Sequence, residues 1–208
     1  MELIFKQQFQ VSSAAVDCFG RLKPSMLLYY CQEVAGNHCI ELGTDYDSMA
    51  AKDMFWAIIR QKVQVNRLPM VGETITVETW PMPTTRTNYP RATVGYDAEG
   101  NELSVPGSLS PKDLAGLYSR RVGYTDLDRN GHMNNCRYLD WISDLLPSPF
   151  HAQHTLKEFT ICYLSEAREG QQLDLHWDFL EDGALRVDAF RRGETKDERV
   201  LSAKLLFE

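Results

Sequence analysis

The chain has 208 residues, a hydrophobic fraction of 43% and a formal net charge of -7 at pH 7, enough for one large domain or two small ones with a real core. The charge is spread along the sequence, and no dense Lys/Arg run marks a nucleic-acid or anionic-membrane surface. Five cysteines, at 18, 31, 39, 136 and 162, form no C-x-x-C pair, which suits reduced thiols and argues against a disulfide framework or structural zinc; with no apolar segment near bilayer length and no leader pattern, a soluble cytoplasmic protein is expected.

Residues 2 to 11 alternate through Leu3, Phe5, Phe9 and Val11, which predicts a strand. Pro24 and Ser25 then open an apolar helical stretch through Met26, Leu27, Tyr30, Val34 and Cys39, ending near Gly43. Strands are predicted at 55 to 65, 73 to 80 and 88 to 96, the last closed by the turn residues D-A-E-G-N. A Ser/Pro/Gly-rich loop from Ser104 to Pro111 is the natural boundary between two halves. The second half repeats the order of the first: a short extended piece at 121 to 124, a helix, and strands at 159 to 164, 171 to 179, 185 to 190 and 200 to 207. D-C-F-G-R at 17 to 21 resembles D-R-N-G-H at 128 to 132, so a weak internal duplication is expected, with two helices on antiparallel sheet in an α+β architecture.

The stretch from Asp126 to Trp141, D-L-D-R-N-G-H-M-N-N-C-R-Y-L-D-W, concentrates carboxylates, amides, an imidazole and a thiol. Tyr138, Trp141, Ile142 and Leu145 recur at helical spacing, predicting a helix that starts near Asn134 or Asn135, either of which could cap it. His132 and the Asp128/Asn130 pair would then lie on the turn entering a helix, where backbone N–H groups favour an oxyanion. Taken alone, D-L-D-R-N-G-H is equally what a solvated Asx turn uses.

The run D-L-D-x-N-x-H-M-N-N-x-x-Y-x-x-W at 126 to 141 resembles the signature of acyl-acyl carrier protein thioesterases, enzymes built from two tandem hot-dog domains. The likeness extends over most of the chain: W-A-I-I-R-Q-K-V-Q-V-N-R-L-P-x-x-G-E-T-I-T-V-E-T-W at 56 to 80 and T-R-T-N-Y-P-R at 85 to 91 in the first half, S-L-S-P-K-D-L at 108 to 114 between the halves, and Y-L-S-E-A at 163 to 167 in the second. It implies a double hot-dog: an N-terminal domain over 1 to 105 with the acyl-chain pocket, an interdomain loop over 106 to 118 and a catalytic domain over 119 to 208, each domain a long helix on an antiparallel sheet and the two sheets joined side by side. It also implies hydrolysis of the thioester joining a fatty acyl chain to the phosphopantetheine arm of acyl carrier protein. No cofactor is expected, and a metal is disfavoured because His132 has no second His at the spacing of a helix-borne ligand pair. An acyl-CoA thioesterase and a non-catalytic acyl-thioester-binding module are the alternatives, and a homodimer is left open.

By position, the family's catalytic residues fall on Asp128, Asn130, His132 and Glu166. Two departures stand out. Ala167 follows Glu166 where some members carry a cysteine, which disfavours a Cys/His/Asn mechanism; and E-L-S-V-P-G-S-L-S-P follows Asn101 at once, so one strand of the first sheet is expected to be missing and an edge exposed. The expected chemistry is attack by water, assisted by His132 with Asp128 or Glu166, the oxyanion being held by Asn130 or by backbone N–H groups near the helix start, with a covalent anhydride on a carboxylate as the variant. Met26, Tyr30, Val34, Trp56 and Ile58 are the candidate acyl-chain lining, although the same residues would serve equally as core. Arg60, Lys62, Arg67, Arg86, Arg91, Arg120, Arg121 and Arg137 are candidates for docking an acidic carrier protein. His38, His151, His154 and His176 lie in no matching motif and are read as structural, and Cys136 and Cys162 as packed thiols.

Overall fold

A computed structural model describes residues 4–84, 89–96, 109, 113–193 and 196–208. The segment expected to lack a strand, from Asn101 to residue 108, residues 110–112 of the loop expected over 106 to 118, and Arg86 lie outside the described residues. The chain divides into two units, Met1–Ala57 with Asn66–Val105, and Ile58–Val65 with Pro106–Glu208.

In the first unit, β1 (Phe5–Gln10), β3 (Thr74–Pro81) and β4 (Arg91–Tyr96) form an antiparallel sheet in the order β1-β3-β4. The register Phe9↔Ile75, Gln7↔Val77 and Phe5↔Thr79 puts these side chains on one face. Against β1 and β3 lies α1 (Pro24–Glu41), with Pro at its start, where a missing N–H costs nothing, and Gly43 at φ 63 just past its end. Tyr30 stacks on Phe9 with ring centroids 4.4 Å apart, His38 stacks on Phe5 at 5.5 Å, and Asn37 Nδ2 donates to Gln7 Oε1 at 2.8 Å. A short helix that the periodicity missed, α2 (Tyr46–Ala50), is capped by Asp45, whose carboxylate accepts from the Asp47 and Ser48 amides.

The second unit is a six-stranded antiparallel sheet in the order β2-β6-β9-β8-β7-β5, from β2 (Arg60–Gln64), β5 (Gly116–Arg121), β6 (Leu156–Tyr163), β7 (Gln172–Phe179), β8 (Leu185–Arg191) and β9 (Glu198–Phe207). Of the strand expected at 55 to 65 only β2 is ladder-paired, and it pairs with β6 of this unit. One face of β8 and β9 is fully apolar, with Leu185, Val187, Ala189, Leu201, Ala203 and Leu205 all buried. The opposite face buries Arg186 and Asp188, which are paired at 2.7 Å, with the Ser202 hydroxyl donating to the same carboxylate.

The helix of this half is not the single long one expected. It runs as α3 (Arg137–Ser143) and, after a break, α4 (Ser148–Gln153). Pro147 supplies the reason: it pushes Leu146 out of the helical region and removes a donor, so the apolar spacing through Leu145 and Leu146 continues past the point where the backbone can follow. Trp141 and Ile142 of α3 are nonetheless fully buried, so the short helix still delivers its apolar face to the core.

Candidate active site

The loop before α3 is assembled by its aspartates. Asp126, 3% exposed, accepts the Gly123 amide on Oδ2 at 3.0 Å, its carbonyl accepts the Asn134 amide at 2.8 Å, and Arg137 Nε lies 3.4 Å from its Oδ1. Sequence reasoning passed over this residue; an acidic side chain two positions before another in a turn gives no sign of which one faces inward. Asp128 Oδ1 accepts from the amides of Asn130 at 2.8 Å and His132 at 3.2 Å, an Asx turn. Gly131 closes it at φ 75, and the Gly131 amide returns to the Asp128 carbonyl at 3.0 Å.

That turn delivers His132 to the segment carrying Glu166. A bridge between His132 and Arg168 and a 2.7 Å hydrogen bond from the Met133 amide to the Ala167 carbonyl join the two stretches of backbone. His132 Nε2 then lies 3.1 Å from Glu166 Oε2, within hydrogen-bonding distance, and Arg168 Nη2 approaches the same oxygen at 3.8 Å. Arg191 Nη1 donates to the Glu166 carbonyl at 2.8 Å, fixing the backbone beneath the carboxylate. His132 is 23% and Glu166 54% exposed at the side chain, so the pair is open to solvent. Asn130, two residues before His132 on the same turn, is exposed.

The first unit holds the same loop with different side chains. Asp17 Oδ1 accepts from the amides of Phe19 and Arg21, the Gly20 amide returns to the Asp17 carbonyl at 3.0 Å, and Gly20 has φ 78. The Leu22 amide bonds the Pro69 carbonyl at 2.7 Å as Met133 bonds Ala167, and an Arg21–Met70 bridge stands where His132 meets Arg168. Thus Arg21 occupies the place of His132 and Leu68 that of Glu166. Asp17 Oδ2 is occupied by Arg21, at 3.1 Å from Nε and 3.0 Å from Nη2, whereas among the described residues Asp128 Oδ2 accepts no hydrogen bond. The replacement of arginine by histidine therefore leaves one carboxylate oxygen of Asp128 untied.

The helix-start oxyanion site expected from sequence is not laid out that way. α3 begins five residues after His132, and its leading amides are already engaged: Cys136 N–H by Asn134 Oδ1 at 2.8 Å and Arg137 N–H by the Asn134 carbonyl at 2.9 Å. Among the described residues no cluster of three metal-ligating side chains occurs.

Four of the five acyl-lining candidates belong to the first unit and one to the second. Tyr30 and Val34 are buried on α1 and Met26 is half-buried there. Trp56 is 47% exposed in the first unit, its indole N–H donating to the Thr44 carbonyl at 2.8 Å, and Ile58, in the second, is 37% exposed. Of the candidate docking cations, Lys62, Arg67, Arg120 and Arg137 are each paired with a carboxylate, and Arg91 is turned inward to His38 Nδ1 at 2.9 Å. His154 stacks on Phe150 at 4.2 Å and His176 packs edge-on to Phe190 at 5.5 Å.

Comparison with known proteins gives one family. The sequence profile described as "Acyl-ACP thioesterase N-terminal domain" matches residues 2–108 and that described as "Acyl-ACP thioesterase C-terminal domain" matches 113–204. A chloroplastic palmitoyl-acyl carrier protein thioesterase of Gossypium hirsutum is 24% identical over 215 residues, covering 79% of this chain and 52% of its own. A chloroplastic dodecanoyl-[acyl-carrier-protein] hydrolase of Cinnamomum camphora is 25% identical over 218 residues, covering 79% and 56%. The chain spans about half the length of these curated relatives. Among solved structures, an acyl-ACP thioesterase from Bacteroides thetaiotaomicron superposes with a TM-score of 0.86 at 22% identity, covering 99% of this chain and 98% of the other. The 12:0-ACP thioesterase from Umbellularia californica gives 0.87 at 19% identity, covering 100% and 98%. At such identities these superpositions show the hot-dog fold.

Proposed function

Since the chain belongs to the acyl-ACP thioesterase family, we propose that it hydrolyses the thioester of fatty acyl-acyl carrier protein and releases the free fatty acid. The observation that carries this reading is His132 Nε2 held 3.1 Å from Glu166 Oε2 on a loop whose Asp128 keeps one oxygen untied. With Nε2–H directed at Glu166, the other ring nitrogen has a lone pair for a water proton, and Glu166 serves to orient the ring and to balance the charge it gains. Asp128 Oδ2 is a second acceptor for that water. The Asn130 carboxamide donates to the thioester oxygen as it becomes an oxyanion, and the proton taken by His132 passes to the departing sulfur of the phosphopantetheine arm.

The fatty chain is assigned to the apolar face of α1, where Met26, Tyr30 and Val34 lie, with Trp56 and Ile58 as further contacts. The division into an N-terminal acyl-binding domain, a connecting segment and a C-terminal catalytic domain belongs to the same reading. So does a reducing compartment such as the cytosol, which suits five cysteines that all remain free thiols. Among the described residues no helix is long and apolar enough to cross a membrane.

The test is to incubate the protein with acyl carrier protein and CoA thioesters of varied chain length and follow free thiol. Faster release from the carrier-protein thioesters supports the proposal. Preference for CoA thioesters would replace the substrate class, and binding without release from any of them would make the protein an acyl-thioester-binding module.

A further inference from the structure

The segments bearing His132 and Glu166 are fastened to each other at two points. One fastening is backbone, the Met133 amide on the Ala167 carbonyl at 2.7 Å. The second is a side chain: the Tyr163 hydroxyl, three residues before Glu166, lies 3.2 Å from the carbonyl of Asn135, three residues after His132. The same hydroxyl lies 2.9 Å from the Gln61 carboxamide on β2. Tyr163 itself is held by a hydrogen bond from its amide to the Ile59 carbonyl at 3.0 Å and by its ring against Tyr138, at 5.9 Å between centroids.

A phenol has one proton and cannot donate to two oxygens at once. The Asn135 carbonyl can only accept, so the conflict is resolved at Gln61, whose amide oxygen and nitrogen occupy equivalent positions and exchange on a half-turn of the group. Gln61 Nε2 then donates to the Tyr163 oxygen, and Tyr163 donates to Asn135. Burial pushes the Tyr163 phenol well above its usual range, so the group remains a donor wherever the protein is folded.

We propose that Tyr163 is a positioning residue for the catalytic pair, its hydroxyl, directed by Gln61, clamping Asn135 so that the His132 loop and the Glu166 segment keep their separation. The proposal deepens the thioesterase reading and rests on it. Among the described residues neither Tyr163 nor Gln61 is hydrogen-bonded to His132 or Glu166; what they control is the geometry of the segments that carry the pair, where a displacement of about 1 Å can cost on the order of 100-fold in rate.

The direction of the relay supplies the test. Tyr163→Phe removes the clamp. Gln61→Glu keeps the side chain's shape but offers only acceptor oxygens, which draws the phenol proton away from Asn135. Gln61→Met takes no proton and leaves Tyr163 able to donate to Asn135. Steady-state rates on acyl carrier protein thioesters are therefore expected to show kcat lowered about 10-fold in Tyr163→Phe and Gln61→Glu with KM little changed, and kcat in Gln61→Met well above that of Gln61→Glu. Wild-type kcat in Tyr163→Phe, or equal losses in the two Gln61 variants, would overturn the clamp. If the wild type releases no thiol at all, the thioesterase reading fails separately. The clamp is then read from the ring-nitrogen NMR signals of His132 in the unliganded protein, which should move in Tyr163→Phe and Gln61→Glu and move less in Gln61→Met; the reverse order overturns it.

Discussion

The proposed mechanism requires the His132 ring to be held, and Glu166 Oε2 lies 3.1 Å from its Nε2. His132→Ala is expected to lower kcat by about 100- to 10,000-fold, the range of a lost acid–base group, and Glu166→Gln to lower it less, because an amide oxygen can still accept from Nε2. Both are measured by thiol release. Asp128→Asn is the sharper experiment. Its remaining carbonyl oxygen can keep the two bonds from the Asn130 and His132 amides, so the Tm should hold, while the loss of the untied, charged oxygen should lower kcat. Unchanged kcat in that variant would confine Asp128 to shaping the loop. At this scale the family resemblance named Asp128, Asn130, His132 and Glu166 as candidates. It could not distinguish Asp126 or Tyr163, since one is a carboxylate defined by burial and the other a tyrosine defined by what its hydroxyl reaches, and neither property exists in a linear chain.

The loop at 123 to 133 and its counterpart at 12 to 22 are one backbone design used twice. Gly20 and Gly131 have φ of 78 and 75, a left-handed conformation in which a Cβ costs about 1–2 kcal/mol. A Cβ at Gly131 would meet nothing within 4 Å, and at Gly20 only ordinary contacts at 3.5 Å or beyond. Gly20→Ala and Gly131→Ala are therefore expected to lower stability to denaturant by similar amounts, about 1–2 kcal/mol, while only Gly131→Ala reduces thioesterase activity. Equal effects on activity would remove the functional asymmetry of the two loops. The likeness of D-C-F-G-R to D-R-N-G-H made this duplication visible in the sequence because turn geometry depends on local side chains, Asp and Gly above all. Element lengths were less legible. The helix of the second half is interrupted at Pro147, and the strand expected from residue 55 is ladder-paired only from Arg60, since pairing depends on a partner strand distant in sequence.

For the molecule as a whole, two inward-facing groups make stability depend on pH in the same direction. His38 is pushed below its usual range by burial and by the neighbouring Arg91. Asp174 is also held low: burial alone would raise it, but hydrogen bonds from Arg192 and Ser119 and the Arg192 charge outweigh burial. In both cases the unfolded chain binds the proton more readily, so stability is fully present above the unfolded pKa and is lost as pH falls towards the folded one. Tm should be level between about pH 6.5 and about pH 8, decline below that range as His38 is forced to protonate, and decline further below about pH 4 with Asp174. His38→Gln should flatten the first decline and Asp174→Asn the second; a pH profile untouched by either substitution would refute this assignment. Thiol reactivity offers an independent check on burial. Cys31, half-buried by surface area and pushed up to about 12 by desolvation, should alkylate more slowly at pH 8 than exposed Cys18 in the native protein, and at a similar rate once unfolded.

The sequence by itself determined the α+β class, the family and the loop residues gathered around His132, because periodicity, turn chemistry and motif spacing are local properties. The tertiary structure alone decided that Glu166, 34 positions along the chain, comes to His132 Nε2, that β2 joins the second unit's sheet, and that Asp126 is interior. Each of these depends on which distant segments share hydrogen bonds and exclude water together, and that is fixed only when the chain has closed on itself.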